Sequence, residues 1–531
     1  MMCRSLAFFG FERPFSAEDK LEMSISSNVL RKSTLGTNFS YPHFSLYTQD
    51  IVMKDEFESK PGWGPEIGKR PRSLSRLWTA AVVVALYLTW IINPISSQSQ
   101  FDRVQQCSID NFHKDLYFLE NARPIEAQEF LDRRDNLVKA LHVSGVDGFV
   151  LEPGYTFQYY ANISQPQWEP WEPEERPFLM IVQPSVNAST GEVKAKTSFL
   201  SPHFEEGRVR MLGIPSEGEL DIIVWEEHWN PYRTLKEGLF PDANATLMVD
   251  EEIRDFLVRG LDANGFKTVG LGGEVEAVRQ TKTPAEVELL RAVNTGTIEG
   301  IRAMRPCLEA GLTENDVIKI LDNTVKTIGF DLFFDIVLFD SNAALPHGGF
   351  ATGDKVLTHE TMVLIDAGYH YLGYSSDVCR SFFIDPPKKS LIRRLLHLPG
   401  PETNNSELHA EKLKVWDIVL QAQTEAGKML MPNSTAASVD IAARKVIDDA
   451  GYKGTFTHRL GHGIGIKAHE SPYLNKGNHE TLLRPGMTFT AEPGIYLEGK
   501  FGVRHEDIYL VKENGPAEVI SGRRAVSPYE P

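Results

Sequence analysis

The hydrophobic and polar positions divide the chain into two regions with different periodicities. Between residues 110 and 275, short apolar runs alternate with stretches of helical spacing. The apolar runs are GVDGFVLEP, FLMIVQP, DIIVWEE, TLMVDEE and TVGLGG. Because alternating strands and helices are typical of α/β domains, we predict an α/β domain with a mixed sheet over 110–275.

The pattern becomes more helical after residue 280. Thr283 is a predicted N-cap, with Pro284 at the first helical position and Glu286 completing a capping box. Further helices are predicted for TENDVIKILDNTVKTIG, KLKVWDIVLQAQTEAGKML and ASVDIAARKVIDDA. Strands and Gly-rich loops occupy the remainder, and 386–407 has the composition of a surface insertion. We therefore predict a second domain of α+β class over 280–531.

Two predicted hairpins in this second domain each carry a pair of acidic residues. In DAGYHYLGYSSD, a turn centred between Tyr371 and Leu372 places Asp366 opposite Asp377. Facing carboxylates repel each other, so a fold retains them only where a cation or a shared proton compensates. Either an exposed sheet edge or a metal site would explain this pair by itself.

The second hairpin repeats the arrangement. Folding MTFTAEPGIYLEGKFGVRHEDIYLV at Gly499 places Glu492 opposite Glu506. Two acidic pairs across two hairpins of one domain favour a metal site over two unrelated exposed edges.

Between the hairpins lies HRLGHGIGIKAHE, with histidines at 458, 462 and 469. Its closely spaced glycines disfavour a helix and indicate a backbone that approaches a ligand closely. A lone histidine is more often a core or surface residue, and His347 in NAALPHGG is a weaker candidate for that reason. Two aspartates, two glutamates and one histidine would balance two divalent cations, with manganese favoured and cobalt or zinc as alternatives. Such a site suits hydrolysis.

Taken in order, these segments resemble the signature of the pita-bread metallopeptidases. The matching motifs are DAG with Asp366, SDVCR with Asp377, GHGIG with His462, AEPG with Glu492 and RHED with Glu506. The resemblance covers 280–531, and 110–275 is similar in position and pattern to a creatinase-type N-terminal domain. It implies a pita-bread catalytic domain whose five matching residues hold two metal ions. It also implies a peptidase that cleaves the bond before proline, acting on peptides with proline at the second position.

The resemblance implies roles for neighbouring residues as well. Glu492 would also take up the proton of the attacking water, and His469 would stabilise the transition state. His347 and His458 match two further histidines of the proline-directed members, and Arg504 matches an arginine next to the last ligand.

The sequence departs from the family at Cys379, where a threonine is common. A thiol there could weaken a hydrogen bond or bind a soft metal. The sequence does not separate a dipeptidase from an aminopeptidase, because that depends on how an N-terminal domain or a second subunit, as in a homodimer, closes the site. A creatinase-like amidinohydrolase and a non-catalytic binding protein with the same fold remain alternatives, although all five ligands are present.

An apolar segment precedes both regions. LWTAAVVVALYLTWII has no charged residue and, extended to residue 95, is 19 residues long, close to the roughly 20 that span a bilayer. Because basic residues cluster before it, we predict a single transmembrane helix at 77–95, a disordered cytosolic tail at 1–76 and a lumenal or extracellular catalytic domain. Five N-x-S/T sequons after it, which are acceptor sites in a glycoprotein, weakly support a lumenal or extracellular body. The alternative is a buried core helix.

Length, charge and cysteine content limit the number of domains and the kinds of partner that the protein can have. The chain has 531 residues and a net charge of −17, which argues for two or three domains and against nucleic acid as a partner. Its four cysteines (3, 107, 307 and 379) have no metal or redox spacing. We therefore predict neither a disulfide framework nor a zinc-ribbon site.

Overall fold

The structure is a computed structural model that describes residues 99–168, 175–242, 244–387 and 407–531. All of these residues belong to one structural unit, Val84–Pro531. The predicted tail at 1–76, the segment 77–95 and nearly all of the predicted insertion lie outside the described residues.

The first part of the chain contains a six-stranded mixed sheet with the order β4-β3-β2-β1-β5-β6. Its strands are β1 (Gly148–Leu151), β2 (Leu179–Val186), β3 (Val193–Pro202), β4 (Asp221–Trp225), β5 (Thr246–Val249) and β6 (Lys267–Val269). Strand β1 is antiparallel to β2 and parallel to β5, which confirms the predicted mixed α/β sheet. The sequence pattern missed β3, because its first half alternates between lysine and small residues and only its second half is buried.

Helices pack against the sheets in both parts. They are α1 (Gln100–Phe112), α2 (Ala127–Ser144), α3 (Tyr155–Ala161), α4 (Gln165–Trp168), α5 (Glu206–Met211), α6 (Pro231–Leu239), α7 (Asp255–Ala263), α8 (Gly273–Gln280), α9 (Pro284–Met304), α10 (Glu314–Lys326), α11 (Glu407–Met429) and α12 (Ala436–Asp449). The capping box of α9 forms as predicted, with Thr283 Oγ1 accepting from the Glu286 N–H and the Glu286 carboxylate accepting from the Thr283 N–H.

The second part contains three antiparallel sheets that carry the acidic pairs. Their strands are β7 (Asp331–Phe339), β8 (Val363–Tyr371), β9 (Tyr374–Ser375), β10 (Val378–Phe382), β11 (Gly461–Gly463), β12 (Glu470–Leu474), β13 (Thr488–Ala491), β14 (Gly494–Leu497), β15 (Phe501–Arg504), β16 (Asp507–Leu510) and β17 (Glu518–Val519). The sheet orders are β10-β8-β7, with β9 paired to β8, then β12-β11-β13-β16-β17, and finally β14-β15. Helices packed against antiparallel sheets agree with the expected α+β class.

The turn of the first hairpin is centred one residue later than predicted, so the pairing register of its strands also differs. Asp366 pairs with Cys379, not with Asp377. The turn residues are Leu372 and Gly373, both with positive φ, of 48° and 89°, as a tight two-residue hairpin turn requires. Asp377 lies two residues before the partner of Asp366 and therefore still projects from the same face of the sheet.

The register of the second hairpin is as predicted. Gly494 pairs with Arg504 on one side of the acidic pair, and Ala491 pairs with Asp507 on the other. Glu492 and Glu506 therefore come opposite each other where the two-stranded and five-stranded sheets meet.

The prediction that no disulfide forms is wrong. Cys107 of α1 and Cys307, just after α9, form a disulfide across 200 residues of sequence. Helix α1 packs against α9 and α10, and this packing, which spacing does not reveal, brings the two sulfur atoms together. The disulfide fastens α1 to the part of the chain that carries the acidic pairs.

The prediction of a transmembrane helix, and with it a single-pass membrane protein with a lumenal or extracellular catalytic domain, is not supported. No helix in the described ranges is both long enough and apolar enough to cross a membrane. The two longest of them, α9 and α11, carry charged side chains along their length. The apolar run at 77–95 that suggested the anchor lies outside these ranges.

A carboxylate pair outside the acidic hairpins makes stability depend on pH. Burial, and the nearby carboxylate of Asp335, raise the pKa of Asp322 to about 7, although the Tyr369 hydroxyl donates to Asp322 at 2.8 Å and opposes the shift. A raised pKa means that the folded state holds this proton more tightly than the unfolded chain. The stabilisation is therefore complete below pH 4 and lost as the pH rises towards 7.

We expect Asp322→Asn to raise the melting temperature more at pH 8 than at pH 5, because the amide removes the charge that the folded state disfavours. Thermal unfolding followed by circular dichroism at both pH values measures the difference. Asp417→Asn, an exposed position on α11, is the control and should leave the melting temperature unchanged at both. An equal gain in melting temperature for Asp322→Asn at pH 5 and pH 8 would show that the folded protein does not keep Asp322 protonated at pH 5.

Candidate metal centre

The five residues predicted as metal ligands come together in space. One cluster consists of Asp366, Asp377 and Glu506, and a second consists of His462, Glu492 and Glu506. Within each cluster, one potential ligand atom from every residue lies within 4.8 Å of the others. Glu506 belongs to both clusters, so the arrangement offers two adjacent positions that share one carboxylate.

The first hairpin holds its aspartates from a buried sheet. Both side chains are almost fully buried, with 8% of Asp366 and 4% of Asp377 exposed. The Asp377 N–H donates to the side chain of Asn294 on α9 at 3.1 Å, where the chain passes between β9 and β10. Helix α9 therefore fixes the backbone that carries one of the two aspartates.

A buried ion pair holds the backbone beside Glu506. Arg380 on β10 donates to Asp507 at 2.7 Å and to the carbonyl oxygen of Glu506 at 2.7 Å. The Glu506 N–H in turn donates to the Cys379 carbonyl oxygen at 3.0 Å. Arg380 and Asp507 are almost fully buried. Their contacts therefore set the position of Glu506 relative to the first hairpin.

The histidine loop brings His462 to the acidic residues through a short strand, not a helix, as predicted. A Cβ atom on Gly461 would lie 2.2 Å from the Thr490 carbonyl oxygen, so only glycine allows β11 to approach β13 this closely. His462 Nδ1 lies 3.0 Å from the Gly463 carbonyl oxygen and can only donate to it. His462 Nε2 then carries the lone pair, which faces Asp377 at 3.5 Å and Glu492 at 3.6 Å.

The electrostatics of the cluster are those of crowded negative charge. Burial, then the neighbouring carboxylates, raise the pKa of Asp377 and of Glu506 well above the usual range. The pKa of Glu492 rises to about 8 because of burial, although Arg504 opposes the shift. Burial holds the pKa of His462 well below its ordinary value. The protein alone therefore supplies too little positive charge for this set of ligands.

The donor set fits divalent cations. Asp366 Oδ1 and Glu506 Oε1 are buried and have no hydrogen-bond partner. Buried polar atoms without a partner are rare, and a bound ion is one of the standard reasons for them. Hard carboxylate oxygens with a single imidazole nitrogen are the ligands that manganese, cobalt and zinc accept. All five predicted ligands could take part in holding metal.

The other predicted histidines surround this cluster. His469 Nε2 lies 3.6 Å from Asp377 Oδ2, its ring stacks edge-on against His462 at 4.2 Å, and 58% of its side chain is exposed. His458 Nδ1 lies 3.9 Å from Glu492. His347 lies in an exposed loop and is near enough to lower the pKa of both His458 and His469 electrostatically. His469 also meets the geometric condition for a metal ligand together with Asp377 and His462, which the sequence did not indicate.

Arg504 links the cluster to His458 through Tyr496. The arginine pairs with Asp366 at 2.5 Å and donates to the Tyr496 hydroxyl at 2.8 Å. Tyr496 then donates to His458 Nε2 at 2.8 Å, because His458 Nδ1 donates to the Arg459 carbonyl oxygen. Burial, then the charge of Arg504, lower the pKa of His458 to about 3. His458 is therefore neutral near pH 7.

Cys379 is not placed as a metal ligand. Its side chain is fully buried and its Sγ lies 3.7 Å from the Arg504 carbonyl oxygen. Burial keeps the pKa of the thiol far above its usual value. The thiol is therefore protonated, and it belongs to none of the metal-binding groups among the described residues.

Sequence reasoning missed the residues that hold the ligands from behind. Arg380, Asp507, Asn294 and Tyr496 were not singled out. Arg380 and Asp507 gave one signal, since each is a charged residue in a strand that is otherwise mostly apolar. Asn294 gave none, because an asparagine within a long amphipathic helix is unremarkable until its neighbours are known.

Comparison with known proteins places this fold and site in a known class. Residues 288–513 match the model of metallopeptidase family M24. An uncharacterized peptidase of Schizosaccharomyces pombe is 35% identical over 452 residues, which is 85% of this chain and 93% of the relative. The chain belongs to metallopeptidase family M24.

Solved structures agree with this placement. The dipeptidase PepE of Mycobacterium ulcerans is 28% identical with a TM-score of 0.61, over 76% of this chain and 98% of that protein. The X-Pro aminopeptidase of Thermotoga maritima is 25% identical with a TM-score of 0.56, over 75% of this chain and 98% of that protein. The protein therefore has the pita-bread fold and is a metallopeptidase, and the resemblance seen in the sequence is confirmed.

Proposed function

We propose that this protein is a dinuclear metallopeptidase that hydrolyses the bond before proline, in Xaa-Pro dipeptides or at the N-terminus of longer peptides. The observation that supports this most is the pair of clusters sharing Glu506, together with two buried carboxylate oxygens, on Asp366 and Glu506, that lack a partner. The named dipeptidase and X-Pro aminopeptidase among its structural neighbours support the substrate class. We further propose residues 110–275 as a creatinase-like N-terminal domain and 280–531 as the catalytic domain.

In this proposal Asp366, Asp377, His462, Glu492 and Glu506 hold two divalent ions, with manganese favoured over cobalt and zinc. When bound, such ions lower the pKa of a water molecule and polarise a carbonyl group. Four carboxylates balance the charge of two divalent ions, which removes the repulsion that raises the pKa of the buried acids.

The protein's own groups then divide the remaining work. Glu492 is the most exposed of the four carboxylates, at 16%, and has the accessible position that a proton acceptor for the attacking water needs. His469 stands beside Asp377 with its edge in solvent and can donate a hydrogen bond to the oxygen that gains charge in the transition state. Neutral His458 and exposed His347 lie near each other and would contact the substrate backbone. Arg504 orients Asp366.

Hydrolysis assays test the proposal directly. The chain from residue 97 to 531, supplied with Mn²⁺, should release proline from Ala-Pro and alanine from Ala-Pro-Gly, with lower rates with Co²⁺ or Zn²⁺. Ala-Ala and Ala-Ala-Gly are the matched controls and should react much more slowly. Hydrolysis of the dipeptide alone would define a dipeptidase, and cleavage of the tripeptide an aminopeptidase.

Two outcomes would contradict it. If metal analysis detects no bound or recruitable divalent ion, the dinuclear site is wrong. If creatine but neither peptide is hydrolysed, the amidinohydrolase alternative replaces the peptidase.

A further inference from the structure

An ion pair buried behind the histidine loop takes no part in the chemistry described so far. Lys282 Nζ donates to Glu470 Oε2 at 2.8 Å and to the Arg279 carbonyl oxygen at 2.5 Å. The two side chains are only 2% and 5% exposed. Burying a lysine and a glutamate is costly unless both are paired, so their place in the structure needs a reason.

The loop that carries the histidines is wrapped around this pair. The other carboxylate oxygen, Glu470 Oε1, accepts from the Lys467 N–H at 3.2 Å. A Cβ atom on Gly465 would lie 2.7 Å from Lys282 Cε and 2.8 Å from both carboxylate oxygens of Glu470. Glycine at 465 is therefore required by the ion pair itself, and the turn from 465 to 470 closes over it.

His469 directly precedes Glu470 in this turn. Its imidazole has no hydrogen-bond partner within the described part of the chain and is more than half exposed. Its position 3.6 Å from Asp377 is therefore set by its backbone and by ring contact with His462. The next residue, Glu470, holds that backbone through its ion pair with Lys282 and through its pairing with Gly463 of β11.

Lys282 is itself fixed to the strand that leads to Glu492. The Lys282 N–H donates to the Gly486 carbonyl oxygen at 2.9 Å, and Thr281 forms a β-bridge with Met487. Next to it, the Gln280 side chain donates to Ser471 Oγ at 3.0 Å. Through these contacts, the segment between α8 and α9 connects the histidine turn to the residues that lead into strand β13.

We propose that Lys282 and Glu470 are positioning residues that hold His469 at its distance from Asp377, so that the imidazole meets the reacting carbonyl group. This inference rests on the proposed function and assigns a role to the segment between α8 and α9. Because Glu470 is also the first residue of β12 and pairs with Gly463 of β11, bound Mn²⁺ must be measured alongside activity to show that the ion pair acts through His469 and not through His462.

The test measures Lys282→Met and Glu470→Gln separately, each in the wild-type protein and each together with His469→Ala. In the wild-type background we expect Lys282→Met to lower kcat about tenfold with KM nearly unchanged, since the lost contact acts on the transition state. In the His469→Ala background the same change should cost less than about twofold, because residues that act as one unit are not additive. Mn²⁺ stoichiometry by calorimetry should stay as in the wild type.

Controls separate positioning from general loss of structure. Lys467→Met breaks the more exposed pairs of the same turn with Glu251 and Glu252 and should leave kcat within about twofold, as exposed pairs contribute little. Lys282→Arg should recover most of the activity. If Lys282→Met does not fold, Glu470→Gln, which keeps the shape of the side chain, carries the same comparison.

A crystal structure of the Lys282→Met protein gives a readout that does not depend on activity. The distance from His469 Nε2 to Asp377 Oδ2 should increase clearly from 3.6 Å. An unmoved His469, an equal loss of kcat in both backgrounds, or a fall in bound Mn²⁺ would overturn the inference. If the wild-type protein hydrolyses no peptide, the proposed function fails, and the His469 displacement alone then decides the positioning role.

Discussion

Asp377→Asn is expected to lower peptidase activity by at least ~10³-fold, because loss of one ligand charge removes several kcal/mol of transition-state stabilisation. The asparagine side chain has the same shape, and its backbone N–H would still donate to Asn294. Circular dichroism should therefore be unchanged. Steady-state hydrolysis of Ala-Pro with saturating Mn²⁺ measures the loss.

The same variant should lose the stabilisation that metal gives to the wild type. Binding of Mn²⁺ to the folded state alone raises the melting temperature, and a site with three carboxylates in place of four should show a much smaller rise. Asp322→Asn is the matched control, since it removes a half-buried carboxylate outside the two clusters and should keep both activity and the Mn²⁺ effect. Turnover within tenfold of the wild type would remove Asp377 from the site.

Local sequence patterns were sufficient for the parts of the site that depend on local chemistry. The capping box at Thr283 and the hairpin folded at Gly499 formed as predicted, because a cap and a turn are decided by residues only a few positions apart. The first hairpin was displaced by one residue because Leu372 adopts a positive φ. A leucine rarely does so, and the sequence therefore suggested a different turn centre.

Tertiary packing decided what the sequence could not show. Arg380 and Asp507 pair across 127 residues, and Cys107 and Cys307 across 200. No spacing rule connects partners at such separations, since the contact exists only after the sheets and helices have assembled. The ligands were visible because five separate motifs carry them in order, whereas the residues that hold the ligands are scattered singly along the chain.

Replacing Arg504 should have the largest effect on stability. Arg504→Met leaves the Asp366 charge buried without its partner and removes the donors to the Tyr496 hydroxyl and the Pro346 carbonyl oxygen. Removing one member of a buried ion pair typically costs about 3–5 kcal/mol. Urea unfolding of the metal-free protein measures the free energy of unfolding, and activity with Mn²⁺ should fall as well.

The geometry explains why both quantities should change together. Arg504 binds Asp366 Oδ2, while Asp366 Oδ1 is buried without a partner beside Asp377 and Glu506. One oxygen is thus fixed by the arginine and the other is left for a cation, so the guanidinium sets which way the carboxylate faces.

Tyr496→Phe is the matched control, since it removes only the hydroxyl that joins Arg504 to His458, and it should cost about 1 kcal/mol. Arg504→Lys should lie between the two, because an ammonium keeps the charge but cannot bind Asp366 and Tyr496 in the planar geometry of a guanidinium. If Arg504→Met is no more destabilising than Tyr496→Phe, Asp366 does not depend on the arginine. Its orientation must then come from strand β8 alone.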